Sequence, residues 1–254
     1  MIIKLIRHGE SIFNADDAEG RKIPDADRPL TKIGCEQSRL IGSTLGSGFL
    51  LKSLIYASPY VRSMQSLTNM MEGAGLFLLP GKLGMTGERL PKIYADVRLR
   101  EVEHGYDKTK ESIEEEEFHR RQHGWFYYRW DRGESPSDCY DRISTFIESL
   151  HRQVKRKKIN RVLIVSHGLT IRCFVMRWLH LTVDQFCMMH NPKNCDIITI
   201  TGKDYLKHSQ FVSGKWGVSG LRLREKKPLP AMCQIPPART GVYDGLDIGA
   251  TIKG

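Results

Sequence analysis

Two histidines, two arginines and a glutamate each follow a short apolar run in this sequence, and together those residue types can move a phosphoryl group. Arg7-His8-Gly9-Glu10 follows the run Met1-Ile2-Ile3-Lys4-Leu5-Ile6. Ser58 follows Ser53-Leu54-Ile55-Tyr56-Ala57, with Arg62 one helical turn further on. Glu101 follows the weaker run from Ile93 to Leu99, and His167-Gly168 follows Arg161-Val162-Leu163-Ile164-Val165-Ser166. Arginine offers a planar fork of donors that keeps its proton, which suits a phosphomonoester dianion. A neutral imidazole nitrogen is a competent nucleophile for phosphorus when the other ring nitrogen is held as the donor. A second histidine can donate to the transferring oxygens, and a protonated glutamate can supply the proton that a leaving alkoxide needs. Glycine beside each histidine lets backbone and helix N-terminal amides approach the anion. Singly, each residue has an ordinary explanation as a strand-end polar group, an exposed carboxylate or a surface helix arginine. Their occurrence one after another, each behind an apolar run, is what points to a site.

The elements that must position them can be read from the same sequence. The runs named above read as strands, with Asp196-Ile197-Ile198-Thr199-Ile200-Thr201 as a later one. Near-continuous apolar strands separated by helical patterns argue for a mainly parallel sheet covered on both faces, whose ligands bind at the carboxyl ends of the strands. Ser58-Pro59 reads as an N-cap with proline in the first turn, and so does Ser135-Pro136 with Asp138 behind it. The second start leads into Ile143, Phe146, Ile147 and Leu150. Thr31 opens a helix through Leu40, Ile41 and Leu45, and Gly168 opens one through Ile171, Phe174, Val175 and Trp178. The acidic run 114–117 reads as the exposed face of a helix. Residues 80–91 read as a surface loop, and residues 227–254, rich in proline and glycine, as a tail or flap.

Composition sets the limits. The chain has 254 residues, 40% of them hydrophobic, enough for a substantial core and with no linker strong enough to divide it. No apolar stretch reaches the roughly 18 residues of a membrane span, and Lys4 and Arg7 interrupt the start too soon for a signal peptide, so a soluble, cytoplasmic protein is expected. The six cysteines, Cys35, Cys139, Cys173, Cys187, Cys195 and Cys233, form no C-x-x-C pair and read as reduced thiols. The formal charge is +10, and much of it is local, in Lys155-Arg156-Lys157-Lys158 and in Arg222, Arg224, Lys226 and Lys227. No aromatic residues interleave with these bases as a nucleic-acid surface would require, so anionic small substrates account for the balance at least as well.

The motifs also resemble a known family. Leu5-Ile6-Arg7-His8-Gly9-Glu10-Ser11 followed by Asn14 is similar to the signature of the histidine phosphatase superfamily, which includes the cofactor-dependent phosphoglycerate mutases. Leu30-Thr31 with Gly34 and Gln37, Ala57-Ser58-Pro59 with Arg62 and Gln65, Leu99-Arg100-Glu101 and Val165-Ser166-His167-Gly168 match in the same order. The resemblance implies a three-layer α/β/α sandwich around a mostly parallel sheet, in one domain over residues 1–254, with a helical cap inserted at about residues 103–131. It implies His8 as the phosphorylated nucleophile, Arg7, Arg62 and His167 as the rest of the phosphate pocket, and Glu101 as the acid and later the base. Asn14, Ser11 and Gly168 are implied as substrate-binding positions, and no metal is expected.

The same phosphohistidine can pass its phosphate to water or to a second hydroxyl. The mutases place an arginine directly after the catalytic glutamate and an aromatic two positions beyond it; this chain has Val102, Glu103 and His104. Glu103 would disfavour a polyanionic substrate if it faced the pocket. Arg120-Arg121 in the cap resembles an arginine pair used by mutases and joins the candidate substrate-binding set, although adjacent helical residues point in different directions. The aromatic segment 124–130 is similar to a eukaryotic, mutase-like phosphatase branch, its rings forming the cap core or lining a substrate mouth. A phosphatase on a small phosphorylated substrate is therefore the expectation. A mutase using 2,3-bisphosphoglycerate is the alternative, and a non-catalytic phospho-ligand or nucleic-acid module is a third reading.

Overall fold

A computed structural model describes residues 1–76, 90–105 and 110–224. In chain order it contains β1 (Ile2–Arg7), α1 (Ile12–Ala15), α2 (Asp17–Arg21), α3 (Lys32–Leu45), α4 (Ser47–Leu50), β2 (Leu54–Ala57), α5 (Val61–Gly73) and β3 (Ile93–Ala95). There follow α6 (Lys110–His123), α7 (Pro136–Lys157), β4 (Arg161–Ser166), α8 (Gly168–Leu179), α9 (Val183–Met188), β5 (Ile197–Gly202), β6 (Phe211–Ser213) and β7 (Trp216–Ser219).

The strands form one sheet in the order β3-β2-β4-β1-β5-β7-β6. The first four run parallel, as expected, while β5 pairs antiparallel with β1, and β7 and β6 continue antiparallel beyond it. Alternation along the central strands explains the layers, because successive side chains leave opposite faces of a strand. Ile3, Leu5, Leu54, Tyr56, Val162 and Ile164 join one core with Phe146 of α7 and Phe174 of α8. Ile6, Ile55, Ala57, Leu163 and Val165 join the other with Leu67, Met70 and Met71 of α5. The α/β/α sandwich follows from that two-sided burial.

Three sequence expectations shift. The third strand stops at Ala95, because the Asp96 carboxylate accepts the Arg98 amide at 3.0 Å and bends the chain into a tight turn over Val97–Leu99. The helix expected from Ser58-Pro59 begins at Val61, with Tyr60 in the N-cap position. The hairpin of β6 and β7 adds two strands that the sequence reading lacked. Other helix starts fall where expected. Thr31 Oγ1 accepts the Gly34 amide at 3.0 Å, and Ser135 and Asp138 form a reciprocal capping box. Leu40 is 68% exposed; the buried face of α3 is instead Gly34, Ser38 and Gly42, where a Cβ at Gly42 would lie 1.9 Å from the Met70 carbonyl oxygen. That contact allows α3 to lie close against α5.

The cap contains α6 and a turn that docks on the body. The rings of Trp125 and Phe126 lie 5.7 and 5.2 Å from Phe186 of α9, and the Arg172 guanidinium stacks 4.3 Å from Phe186 and 5.1 Å from Trp125. Phe126 and Trp130 are buried, whereas Tyr127 is exposed. Cys35, Cys139, Cys173, Cys187 and Cys195 are all free thiols. Among the described residues no helix is long and apolar enough to cross a membrane. Cys233, the expected tail over 227–254, residues 106–109 of the cap, and all but the last two residues of the loop expected over 80–91 lie outside the described residues.

Candidate active site

The sheet ladder brings the two histidines together. Arg7 of β1 pairs in register with Ser166 of β4, and the His8 amide donates to the Ser166 carbonyl at 3.0 Å. His8 and His167 thus leave adjacent strands side by side, their ring centroids 5.1 Å apart. The Ser58 amide donates to the Val165 carbonyl at 2.9 Å, which aligns the end of β2 with the same edge and carries Arg62 there on the first turn of α5. The loop after β1 passes close to α3. A Cβ at Gly34 would stand 2.0 Å from the Glu10 carbonyl oxygen, so only glycine fits there.

His8 is buried, and its Nδ1 lies 2.7 Å from the Gly9 carbonyl oxygen. A carbonyl can only accept, so the ring proton sits on Nδ1 and the Nε2 lone pair is free for attack. Burial, reinforced by the Arg62 and Arg7 charges, drives the imidazole well below its ordinary value and keeps it neutral.

His167 is fully buried and stands at the N-cap of α8, whose amides and dipole favour an anion at that end. Its Nε2 is 2.8 Å from Ser58 Oγ and 3.4 Å from Ser63 Oγ, both fully buried hydroxyls. Ser58 Oγ already accepts the Tyr60 amide at 3.3 Å, and its own proton has His167 Nε2 as acceptor. The ring proton is therefore assigned to Nδ1, an atom that is buried without a partner among the described residues. Burial first, with the Arg62 and Arg7 charges behind it, lowers this imidazole well below its ordinary value too.

Arg7 donates from Nη1 to the Pro192 carbonyl at 2.8 Å, while its Nε is buried with no partner among the described residues. Burial lowers its guanidinium from the ordinary value, opposed by the charge of Glu101 nearby. Arg62 is only 4% exposed; it donates to the Asp25 main-chain oxygen, and its Nη2 lies 3.2 Å from Asp25 Oδ2. Glu101 is anchored by one oxygen. Oε1 accepts the Val102 amide at 3.0 Å and the Thr170 amide at 3.4 Å, and lies 3.2 Å from Thr170 Oγ1. The segment carrying it is tied to the body by Ser166 Oγ on the Leu99 carbonyl at 2.7 Å and by Thr170 Oγ1 on the Arg100 carbonyl at 2.6 Å.

Asn14 Oδ1 accepts from Ser11 Oγ at 3.1 Å and from Asn194 Nδ2 at 3.0 Å, which leaves its own amide hydrogens to donate. Ser11 is buried as the cap of α1. Gly168 lies against Asn191, where a Cβ would come within 3.1 Å of its side chain. The arginine pair divides. Arg120 is buried between the rings of Trp125 and Trp130, 4.8 and 4.6 Å away, and pairs with Glu117 at 2.7 Å, whereas Arg121 is exposed. Among the described residues no three histidine, cysteine, aspartate or glutamate side chains gather as metal ligands.

Sequence reasoning missed Asn194, whose Nδ2 also donates to the His8 carbonyl at 3.0 Å, and Pro192 under Arg7. It looked only after each strand. Because β5 runs antiparallel to β1, the residues before it reach the same edge as His8 and His167. It also missed Ser63, Thr170 and Asp25 as partners of His167, Glu101 and Arg62; no spacing in the sequence announces them.

The model of the histidine phosphatase superfamily (branch 1) matches residues 3–212. Phosphoglycerate mutase-like protein AT74 of Arabidopsis thaliana is 31% identical over 247 residues, covering 89% of this chain and 74% of its own. Phosphoglycerate mutase-like protein AT74H of the same plant is 30% identical, covering 92% and 87%. Among solved structures, mycobacterial glucosyl-3-phosphoglycerate phosphatase complexed with VO3 shares the fold with a TM-score of 0.61 at 19% identity, over 86% of this chain and 97% of that one. With the match spanning most of the chain and the ordered motifs gathered at one sheet edge, this protein belongs to the histidine phosphatase superfamily.

Proposed function

We propose that the chain hydrolyses phosphomonoesters through a phosphohistidine on His8. The observation that carries this reading is the His8 Nδ1 bond to the Gly9 carbonyl at 2.7 Å in a buried, doubly cationic setting, which leaves a neutral imidazole with its Nε2 lone pair unused. In the first step Nε2 attacks phosphorus and the ester P–O bond breaks. The electron pair stays on the leaving oxygen, which takes a proton from Glu101. In the second, Glu101 takes a proton from water, whose oxygen attacks phosphorus, and the P–N bond breaks to release orthophosphate and neutral His8. Arg7, Arg62 and the Nδ1–H of His167 hold the equatorial oxygens throughout, with the Asn14 amide as a further donor. The cycle uses no metal. We place the enzyme in the cytoplasm, acting on a small phosphorylated substrate.

Transfer to water rather than to a second hydroxyl is favoured by the residues after Glu101. Val102 is buried, and Glu103 stands half-exposed, 3.7 Å from Arg100. A buried valine stands where the mutase pattern has an arginine, and a carboxylate follows it.

The experiment compares phosphate release from a panel of phosphomonoesters with interconversion of phosphoglycerates, with and without 2,3-bisphosphoglycerate. Phosphate release with negligible interconversion is expected, and His8→Ala should abolish it. Efficient bisphosphoglycerate-dependent interconversion would make the enzyme a mutase. Survival of even about a tenth of wild-type activity in His8→Ala, about 1.4 kcal/mol of barrier, would remove His8 as the obligatory nucleophile.

A further inference from the structure

Asp25 lies in the short turn Asp25–Asp27 between α2 and α3, and arginines engage all three of its oxygens. Its main-chain oxygen accepts from Arg62 Nη1, and Oδ2 lies 3.2 Å from Arg62 Nη2. Oδ1 accepts from Arg28 Nη1 at 2.7 Å. The Asp25 side chain is 36% exposed above an almost fully buried Arg62, so its carboxylate stands at the rim of the site. On another side of Arg62, the Tyr60 ring lies 4.9 Å from the guanidinium and 5.1 Å from His167. Burial, then the charges of Asp25 and Glu103, push the Tyr60 phenol up to about 12. Two carboxylates therefore bear on the ring that borders both His167 and the proposed phosphate arginine.

That arrangement has a consequence for the substrate. Arg62, Arg28 and Asp25 together carry one net positive charge, and would carry two without the carboxylate. A single phosphoryl dianion still has Arg7, Arg62 and the α8 amides to meet it. A second anionic group on the same molecule, reaching along Arg62 towards the rim, would meet the Asp25 carboxylate at close range, with one of the two arginine charges already offset.

We propose that Asp25 is a specificity-determining residue that restricts the enzyme to phosphomonoesters whose remaining part is uncharged and disfavours those bearing a carboxylate or second phosphate. The inference rests on the phosphatase reading of the same site. It differs from a purely structural role for Asp25, which would lower activity on all substrates alike.

Glycerol 3-phosphate and 3-phosphoglycerate make a matched pair, differing by a hydroxymethyl group against a carboxylate. Wild-type enzyme should release phosphate from the first with the higher kcat/KM. Asp25→Asn should narrow the ratio about tenfold, the effect of one partly screened charge at close range, while Asp25→Glu should keep it. A wild-type ratio near one, or a ratio unchanged in Asp25→Asn, would overturn the proposal, and Asp25→Ser, which removes the same charge, decides if Asp25→Asn fails to fold. Calorimetric binding of the two esters to His8→Ala protein reads the same preference without turnover. Should wild-type protein release phosphate from no ester, the phosphatase reading fails while the binding ratio still decides the role of Asp25.

Discussion

Replacing Ser58 with alanine tests whether His167 is held in one tautomer by a buried hydroxyl. The substitution removes the oxygen 2.8 Å from His167 Nε2 and frees the Tyr60 amide that this oxygen accepts at 3.3 Å. His167 is fully buried, so water does not replace the lost donor. Leaving a buried neutral acceptor unpaired costs about 1–3 kcal/mol. The imidazole can escape that cost by moving its proton to Nε2, which takes the donor away from the phosphoryl oxygens. Among the described residues Ser63 Oγ, at 3.4 Å, is the only other hydroxyl beside Nε2, and it compensates in part. If about 1.4–2.8 kcal/mol reaches the transition state, kcat falls roughly 10- to 100-fold. Steady-state kinetics on an alkyl phosphate, with KM recorded separately, should show the loss mainly in kcat, and Ser58→Ala/Ser63→Ala should fall further. A thermal melt in parallel separates this from unfolding. A folded Ser58→Ala enzyme with kcat within about twofold of wild type would refute the tautomer argument, since that difference is only about 0.4 kcal/mol.

Three other outcomes follow from the same geometry. Glu101→Gln should slow alkyl phosphates at least about 100-fold while sparing activated aryl phosphates, because only the former need an acid; equal losses on both would take Glu101 out of that role. His8 and His167 are both depressed below 6.5 in the folded protein, chiefly by burial, so the unfolded chain binds protons that the folded one refuses. Their contribution is complete above about pH 6.5 and is lost on acidification, by about 1.4 kcal/mol per pH unit for each ring until its folded pKa is reached. Melting temperatures between about pH 7.5 and 5.5 should fall less steeply in His167→Gln than in wild type, and parallel slopes would contradict the burial argument. Ser135→Ala breaks the capping box of α7 and should cost about 1 kcal/mol, a drop of about 2–4 °C in Tm for a chain this size. An unchanged Tm would mean that Asp138, held near 2 mainly by its Arg129 hydrogen bond, steadies that helix end alone.

What the sequence made legible depended on local signals. The parallel strands could be read because each is a compact apolar run, and the residues just beyond them became site candidates through the topology of parallel sheets. Asn194 was hidden because that logic presumes a strand leaving the edge, whereas β5 runs antiparallel to β1 and brings the residues before it to that edge. Ser58 was misread as a helix cap for a related reason. Ser-Pro is a strong start signal, but this hydroxyl is bonded to an imidazole, and the helix begins only at Val61. Asp25 was silent because its importance lies in Arg62, far along the chain, and acidic residues in polar loops are common. Arg120 and Arg121 illustrate the reverse. The pair was conspicuous in sequence, yet helical geometry sends one into the tryptophans of the cap and the other to the surface.

The register between β1 and β4 has an evolutionary reading. His8 and His167 are separated by most of the chain, yet their spacing is fixed by one rung, Arg7 opposite Ser166, and by the His8 amide bonded to the Ser166 carbonyl. The cap, inserted between the two strands, can lengthen, shorten or be exchanged without altering that rung. A lineage can therefore try new mouths over an unchanged reactive pair, so diversification of substrate need not pass through loss of chemistry. The same independence makes the cap the natural place to graft when redirecting this enzyme, and the two central strands the place to leave alone.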